Sequence, residues 1–134
     1  MKLTNDYRVL VIDDDRYVRS SLVDLIEAAG WAAKDLPRAT EADRWIAQFK
    51  PDVILSDVRM PTMSGIELLR SLKAAPPVVL ISAHGDIPMA VDAMNNGAYS
   101  FVEKPYDPKR LLTILDHAAQ QHRMQESNQR LRDR

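Results

Sequence analysis

Acidic and hydroxyl side chains close the apolar runs of this sequence. The run Arg8 to Ile12 ends on Asp13, Asp14 and Asp15, the run Val53 to Ser56 on Asp57, and the run Val78 to Ile81 on Ser82; the run Ser100 to Val102 is followed by Glu103 and Lys104. Open parallel sheets build their sites at the carboxyl ends of strands, so these residues are expected to converge. Three carboxylates meeting in one cleft repel one another unless a cation sits among them. An all-oxygen donor set with room for water favours Mg2+ over zinc or copper, and Lys104 supplies a second, fixed positive charge. Such a site suits phosphoryl transfer to a carboxylate: aspartate is a competent nucleophile that forms an acyl phosphate, the positive charges neutralise the incoming oxygens, and the Ser82 hydroxyl donates a hydrogen bond. Asp57 is the expected nucleophile, because it stands alone at the end of its run, whereas Asp13 and Asp14 sit side by side as a metal-holding pair.

The elements that must position these groups follow from hydrophobic period. A fifth run spans Ala32 to Leu36, and stretches of helical spacing separate the runs: Val18, Leu22, Leu25 and Ile26; Trp45, Ile46 and Phe49; Ile66, Leu68, Leu69 and Leu72. Runs such as VLVI and VVLI are apolar at consecutive positions, which suits strands covered on both faces and therefore a parallel sheet between helices. Gly30, Pro51, Pro76, Pro77 and Gly97 punctuate the alternation. The expected fold is α/β, a flavodoxin-like (βα)5 unit whose five-stranded parallel sheet has the order 2-1-3-4-5 with helices on both faces. That order places strands one, three, four and five side by side and brings the acidic ends together.

Past Pro108 about 25 residues of helix-forming composition run without Gly or Pro. Leu111, Leu112, Ile114, Leu115, Ala118 and Ala119 can pack on the domain. Ile114, His117, Gln121, Met124, Asn128 and Leu131 continue at spacings of three and four, a weak heptad series. Residues 1–120 are accordingly expected to form the phosphoacceptor domain. Residues 121–134 are expected to be a helical, coiled-coil-forming linker; the alternative is a solvated helix end.

At 134 residues the chain has room for one domain, and near-cancellation of charge to a formal net −1 argues against direct nucleic-acid contact by this chain. It has no cysteine, which excludes disulfides and thiolate metal sites and fits a reducing cytoplasm. The first fifteen residues do not read as a signal peptide, and no apolar run reaches membrane-spanning length. A cytoplasmic protein without membrane contact is expected.

The segments VIDDD, LSDVRMPTMSGIELL, LISAHGD and FVEKP together resemble the receiver domain of two-component response regulators, over about residues 7 to 120. The resemblance implies a regulatory domain rather than an enzyme, beyond self-catalysed phosphotransfer and autodephosphorylation. A sensor histidine kinase would be its phosphoryl donor. It implies that Asp57 is the phosphoacceptor, Asp13 and Asp14 the acidic pair, Lys104 the site lysine, Ser82 the hydroxyl switch and Phe101 the aromatic switch. It further implies Mg2+ held by Asp14, Asp57 and the backbone carbonyl of Arg59, with Asp13 acting mainly through water, and a cis bond between Lys104 and Pro105. Arg59 and His84 occupy positions that tune dephosphorylation in this family. Serine and phenylalanine stand where threonine and tyrosine are commoner. Serine keeps the donor; phenylalanine gives up a hydroxyl, so the switch is expected to be looser.

The stretch from Ser82 to Leu112 and the ending MQESNQRLR are especially similar to receivers of sigma-54-dependent transcription activators. That likeness implies AAA+ and DNA-binding domains beyond Arg134, and a homodimer through the fourth helix, fifth strand, fifth helix and C-terminal helix. A helix-turn-helix response regulator and a stand-alone receiver are the alternatives within the family. Outside it, Asp13 and Asp15 meet the minimal D-x-D pattern of haloacid-dehalogenase-type phosphohydrolases, but Tyr17 stands where that signature wants Thr or Val. A flavin-binding module is disfavoured because three aspartates after the first strand would repel the flavin phosphate. Among single residues, Asp15 fits a helix N-cap better than a metal ligand. His117 and His122, five apart, do not share a helix face, and Trp31 and Trp45 are packing residues.

Overall fold

A computed structural model of the chain describes residues 6–72, 76–83 and 86–132. Five strands, β1 (Arg8–Ile12), β2 (Ala32–Leu36), β3 (Val53–Asp57), β4 (Val78–Ser82) and β5 (Ser100–Glu103), alternate with five helices, α1 (Arg16–Ala28), α2 (Ala42–Phe49), α3 (Gly65–Ser71), α4 (Ile87–Asn95) and α5 (Pro108–Arg132). The sheet is parallel throughout in the order β2-β1-β3-β4-β5, as the consecutive apolar runs require. Strands β3, β4 and β5 each run one residue past their apolar run. Asp57 pairs in register with Ile81, and Ser82 with Glu103, so the polar end residues are held by the ladder itself.

Alternation along each strand builds two cores. Val9, Val11, Val53, Leu55, Val79 and Ile81 face α1 and α5 and pack with Leu22, Ile26, Leu111 and Leu115. Leu10, Ile12, Ile54 and Leu80 face the opposite way, toward Ile66, Leu68, Leu69 and Ala93. Each such fully buried aliphatic side chain contributes about 1.5–3 kcal/mol relative to exposure. Trp31 is buried, edge-on to Tyr7 at 5.5 Å between ring centroids. Trp45 is half-buried beneath the Lys34 ammonium, 4.0 Å from the ring centroid.

Helix α5 departs from the sequence-based expectation in one respect. The side chains expected to hold it end at Ala119, yet His122 is buried and Arg123 grips the amino-terminal end of the sheet. The Arg123 guanidinium donates to both oxygens of Asp52 and to the side chain and carbonyl of Asp6, all at 3.0 Å, and lies over the Tyr7 ring. Asp52 is itself buried and also accepts from the Arg8 backbone N–H at 2.9 Å. The pairing spans 71 positions of sequence, which local periodicity does not register. The expected division at 120/121 therefore falls inside one continuous helix, tied to the sheet on the linker side. The heptad positions His117, Gln121, Met124 and Asn128 remain exposed; the side chain of Leu131 lies outside the described residues.

Removing the Arg123 guanidinium strands a buried carboxylate. Arg123→Ala is expected to cost about 2–3 kcal/mol, somewhat below the range for breaking a fully buried pair because the arginine is partly exposed, whereas Met124→Ala stays within about 0.5 kcal/mol. Urea unfolding of the two variants checks this.

Candidate functional site

The carboxyl end of the sheet gathers the acids. Asp13 follows β1 and is buried; its Oδ1 accepts from the Asp15 N–H at 2.8 Å, and its own N–H donates to the Leu36 carbonyl. Asp14 is exposed, and Asp57 is half-buried at the end of β3. One carboxylate oxygen from each of Asp13, Asp14 and Asp57 lies within 4.8 Å of the other two. Asp15 stands apart as the N-cap of α1, its Oδ1 accepting from the Tyr17 and Val18 amides. The cap and the cluster thus divide three consecutive aspartates between structure and site.

Electrostatics follow from this crowding. Burial, together with the charges of Asp57 and Asp14, pushes the Asp13 carboxyl up to about 6, against opposing pulls from the Asp15 amide and Lys104. Burial also raises Asp57, with Lys104 and the amides of Val58 and Arg59 acting the other way and Asp14 adding to the rise. Lys104 is half-buried, follows β5 and donates its backbone N–H to the Ser82 carbonyl at 2.8 Å; the Lys104–Pro105 bond is cis. One lysine does not neutralise three carboxylates. An oxygen-only cluster in partly desolvated surroundings fits a hard divalent cation such as Mg2+.

Gly65, the first residue of α3, fixes how closely this end is packed. A Cβ there would lie 2.7 Å from the Asp57 carbonyl oxygen and 2.9 Å from a Leu80 methyl, and the Gly65 N–H donates to the Val58 carbonyl at 2.8 Å. Only glycine lets α3 approach the strand that carries Asp57. The neighbouring cap is formed by Ser64 and Glu67, each accepting from the other's backbone N–H. The glycine was visible in the sequence; its close approach depends on the partner strand.

The residues expected from the sequence to act as a switch take distinct settings. Ser82 is buried at the end of β4, and its Oγ lies 3.4 Å from Asp86 Oδ2. Phe101 is half-buried against the core on the α3 and α4 side. The Arg59 side chain extends away into solvent and pairs with Asp86 at 2.8 Å. Asp86 is a site neighbour that sequence reasoning missed, because contacts between two loops leave no spacing to detect. His84 lies outside the described residues. His117 is exposed while His122 is buried and pairs with Glu126, so the two histidines do not form a metal pair.

Comparison with known proteins agrees with this fold. The family described as the response regulator receiver domain matches residues 9–116. The chain is 41% identical over 128 residues to the C4-dicarboxylate transport transcriptional regulatory protein DctD of Pseudomonas aeruginosa, covering 93% of this chain and 28% of that protein. It is 40% identical to the transcriptional regulatory protein FixJ of Rhizobium meliloti, over 86% of this chain and 58% of that one. The crystal structure of FixJ-N superposes with a TM-score of 0.80 at 38% identity, covering 87% of this chain and 96% of that one. The chain spans less than a third of the transport regulators it matches.

The raised Asp13 carboxyl has a consequence for stability. Its protonated form is favoured in the folded state, so that stabilisation is full below about pH 4 and lost as pH rises through about 6. Without divalent cation, Asp13→Asn is expected to be more stable than the unsubstituted chain by on the order of 2 kcal/mol at about pH 8. The difference should vanish near pH 4 and shrink when Mg2+ is added; thermal unfolding across pH checks all three.

Proposed function

The chain belongs to the response regulator receiver domain family, and from that premise we propose that Asp57 accepts a phosphoryl group from a sensor histidine kinase and thereby switches the surface on the far side of β4 and β5. The observation that carries this is the convergence of Asp13, Asp14 and Asp57 in one half-buried cluster at the carboxyl end of the sheet, within the electrostatic influence of Lys104. Asp14, Asp57 and the Arg59 carbonyl would hold Mg2+, with Asp13 assisting through water, and the ion would supply charge neutralisation for the phosphoryl oxygens. A carboxylate oxygen of Asp57 attacks phosphorus; the new O–P bond forms as the P–N bond of the donor's phosphohistidine breaks, and the imidazole leaves with the electron pair. Lys104 offers its ammonium to the incoming oxygens and Ser82 its hydroxyl. Autodephosphorylation transfers the same group to water. The role is regulatory rather than that of a turnover enzyme.

Residues 1–120 act as the receiver and residues 121–134 as the helical link to an output domain. Similarity to the dicarboxylate regulator supports a sigma-54-dependent activator with AAA+ and DNA-binding domains elsewhere in the full-length protein. FixJ supports the alternative of a different transcriptional output. Dimerisation through α4, β5 and α5 is supported by an apolar stripe on α4: Ile87, Val91 and Met94, spaced i, i+4 and i+7, are each half or more exposed. No described helix is long and apolar enough to cross a membrane.

Incubation with acetyl phosphate and Mg2+ followed by borohydride trapping and peptide mapping tests the assignment. Label is expected at Asp57 and is abolished in Asp57→Asn. Label at Asp13 that survives in Asp57→Asn would instead favour the phosphohydrolase alternative.

A further inference from the structure

Arg19 reaches from α1 to the loop that carries the acidic pair. Its Nη1 donates to the Asp13 backbone carbonyl at 2.8 Å, and its Nε to Asp35 Oδ2 at 3.1 Å. Asp35 lies on β2, paired in register with Val11 of β1, so one guanidinium spans helix, sheet edge and site loop. The Arg19 side chain is 14% exposed and that of Asp35 45%. An ion pair open to solvent on one side adds little to stability, so stability alone does not account for the fork. Asp14 is the residue on which it bears. Its carboxylate is one corner of the oxygen cluster yet is exposed, so packing does not aim it and the backbone must. Each peptide unit is planar, and a residue's φ and ψ are fixed once the planes on both sides of it are fixed. Arg19 holds the plane before Asp14 through the Asp13 carbonyl. Asp13 Oδ1 holds the plane after it through the Asp15 N–H at 2.8 Å.

We propose that Arg19 is a positioning residue for the cation site, fixing the backbone at Asp14 so that its exposed carboxylate stays with those of Asp13 and Asp57. The inference rests on the acidic cluster being a Mg2+ site. Charge alone predicts the opposite effect. A guanidinium near a cation site repels the ion, so as a mere charge its removal tightens Mg2+ binding. As a positioning group its removal weakens binding, because a freed Asp14 must be ordered when the ion enters. Groups that orient metal ligands are each worth about 10- to 100-fold in affinity. Acting through the backbone on one ligand of several, Arg19 falls at the low end of that range. Asp35 in turn holds the guanidinium, and it ties the site loop to the edge strand of the sheet.

Mg2+ titration at the backbone amides of the unsubstituted chain, Arg19→Ala and Arg19→Lys, with amide relaxation measured on each metal-free chain, tests this. Arg19→Ala is expected to bind Mg2+ about tenfold more weakly. Arg19→Lys, which keeps the charge without the fork, is expected to bind more weakly than the unsubstituted chain as well. In both metal-free variants the Asp14 and Asp15 amides should gain fast motion, while those of Leu22 to Ile26 in α1 keep their shifts and order. An Arg19→Ala chain that binds Mg2+ as tightly as the unsubstituted one, or more tightly, overturns the inference. So does weaker binding accompanied by shifts throughout β1 and α1, which is the mark of a packing role. If the amides of the unsubstituted chain do not respond to Mg2+ at all, the cation assignment itself fails.

Discussion

The constraint on which the carboxyl end of this sheet depends is the crowding of three carboxylates, Asp13, Asp14 and Asp57, in partly buried surroundings. Their oxygens lie within 4.8 Å of one another, and burial raises both Asp13 and Asp57. A fold does not gain stability from such a cluster. It holds the carboxylates at a cost in folding free energy that Lys104 and nearby amides offset in part and that an entering cation or proton offsets further. The apolar cores beneath, built from strands buried on both faces, supply the rigidity that keeps the three groups from drifting apart.

The same constraint explains how neighbouring residues are used. Asp15 is diverted to cap α1, which removes a fourth charge from the cluster. Gly65 lets α3 close on the backbone of Asp57, so the strand end cannot relax away from its partners. Lys104 and Ser82 are placed by the last rungs of the ladder rather than by mobile loops.

Much of this was legible in the amino-acid order. Consecutive apolar positions announced buried parallel strands, and the residue closing each run announced the site, because both signals are local. The strand order brought Asp13 and Asp57 together as expected, and Asp15 fell to its capping role. What escaped was non-local: the Arg123 fork on Asp52, separated by 71 positions; the missing Cβ of Gly65, whose meaning lies in Leu80 and the Asp57 carbonyl; and the pairing of Arg59 with Asp86 across two loops. Periodicity records which face a residue occupies and is silent on which distant side chain meets it.

The most direct test of the central claim is a Mg2+ titration followed at the backbone amides of Asp13 to Asp15 and Asp57 to Arg59. Saturable, single-site perturbation confined to these two segments, and lost in Asp14→Asn, is the predicted result. Amides that remain unmoved up to about 50 mM Mg2+, well above the range over which weak oxygen-ligand sites fill, would contradict it.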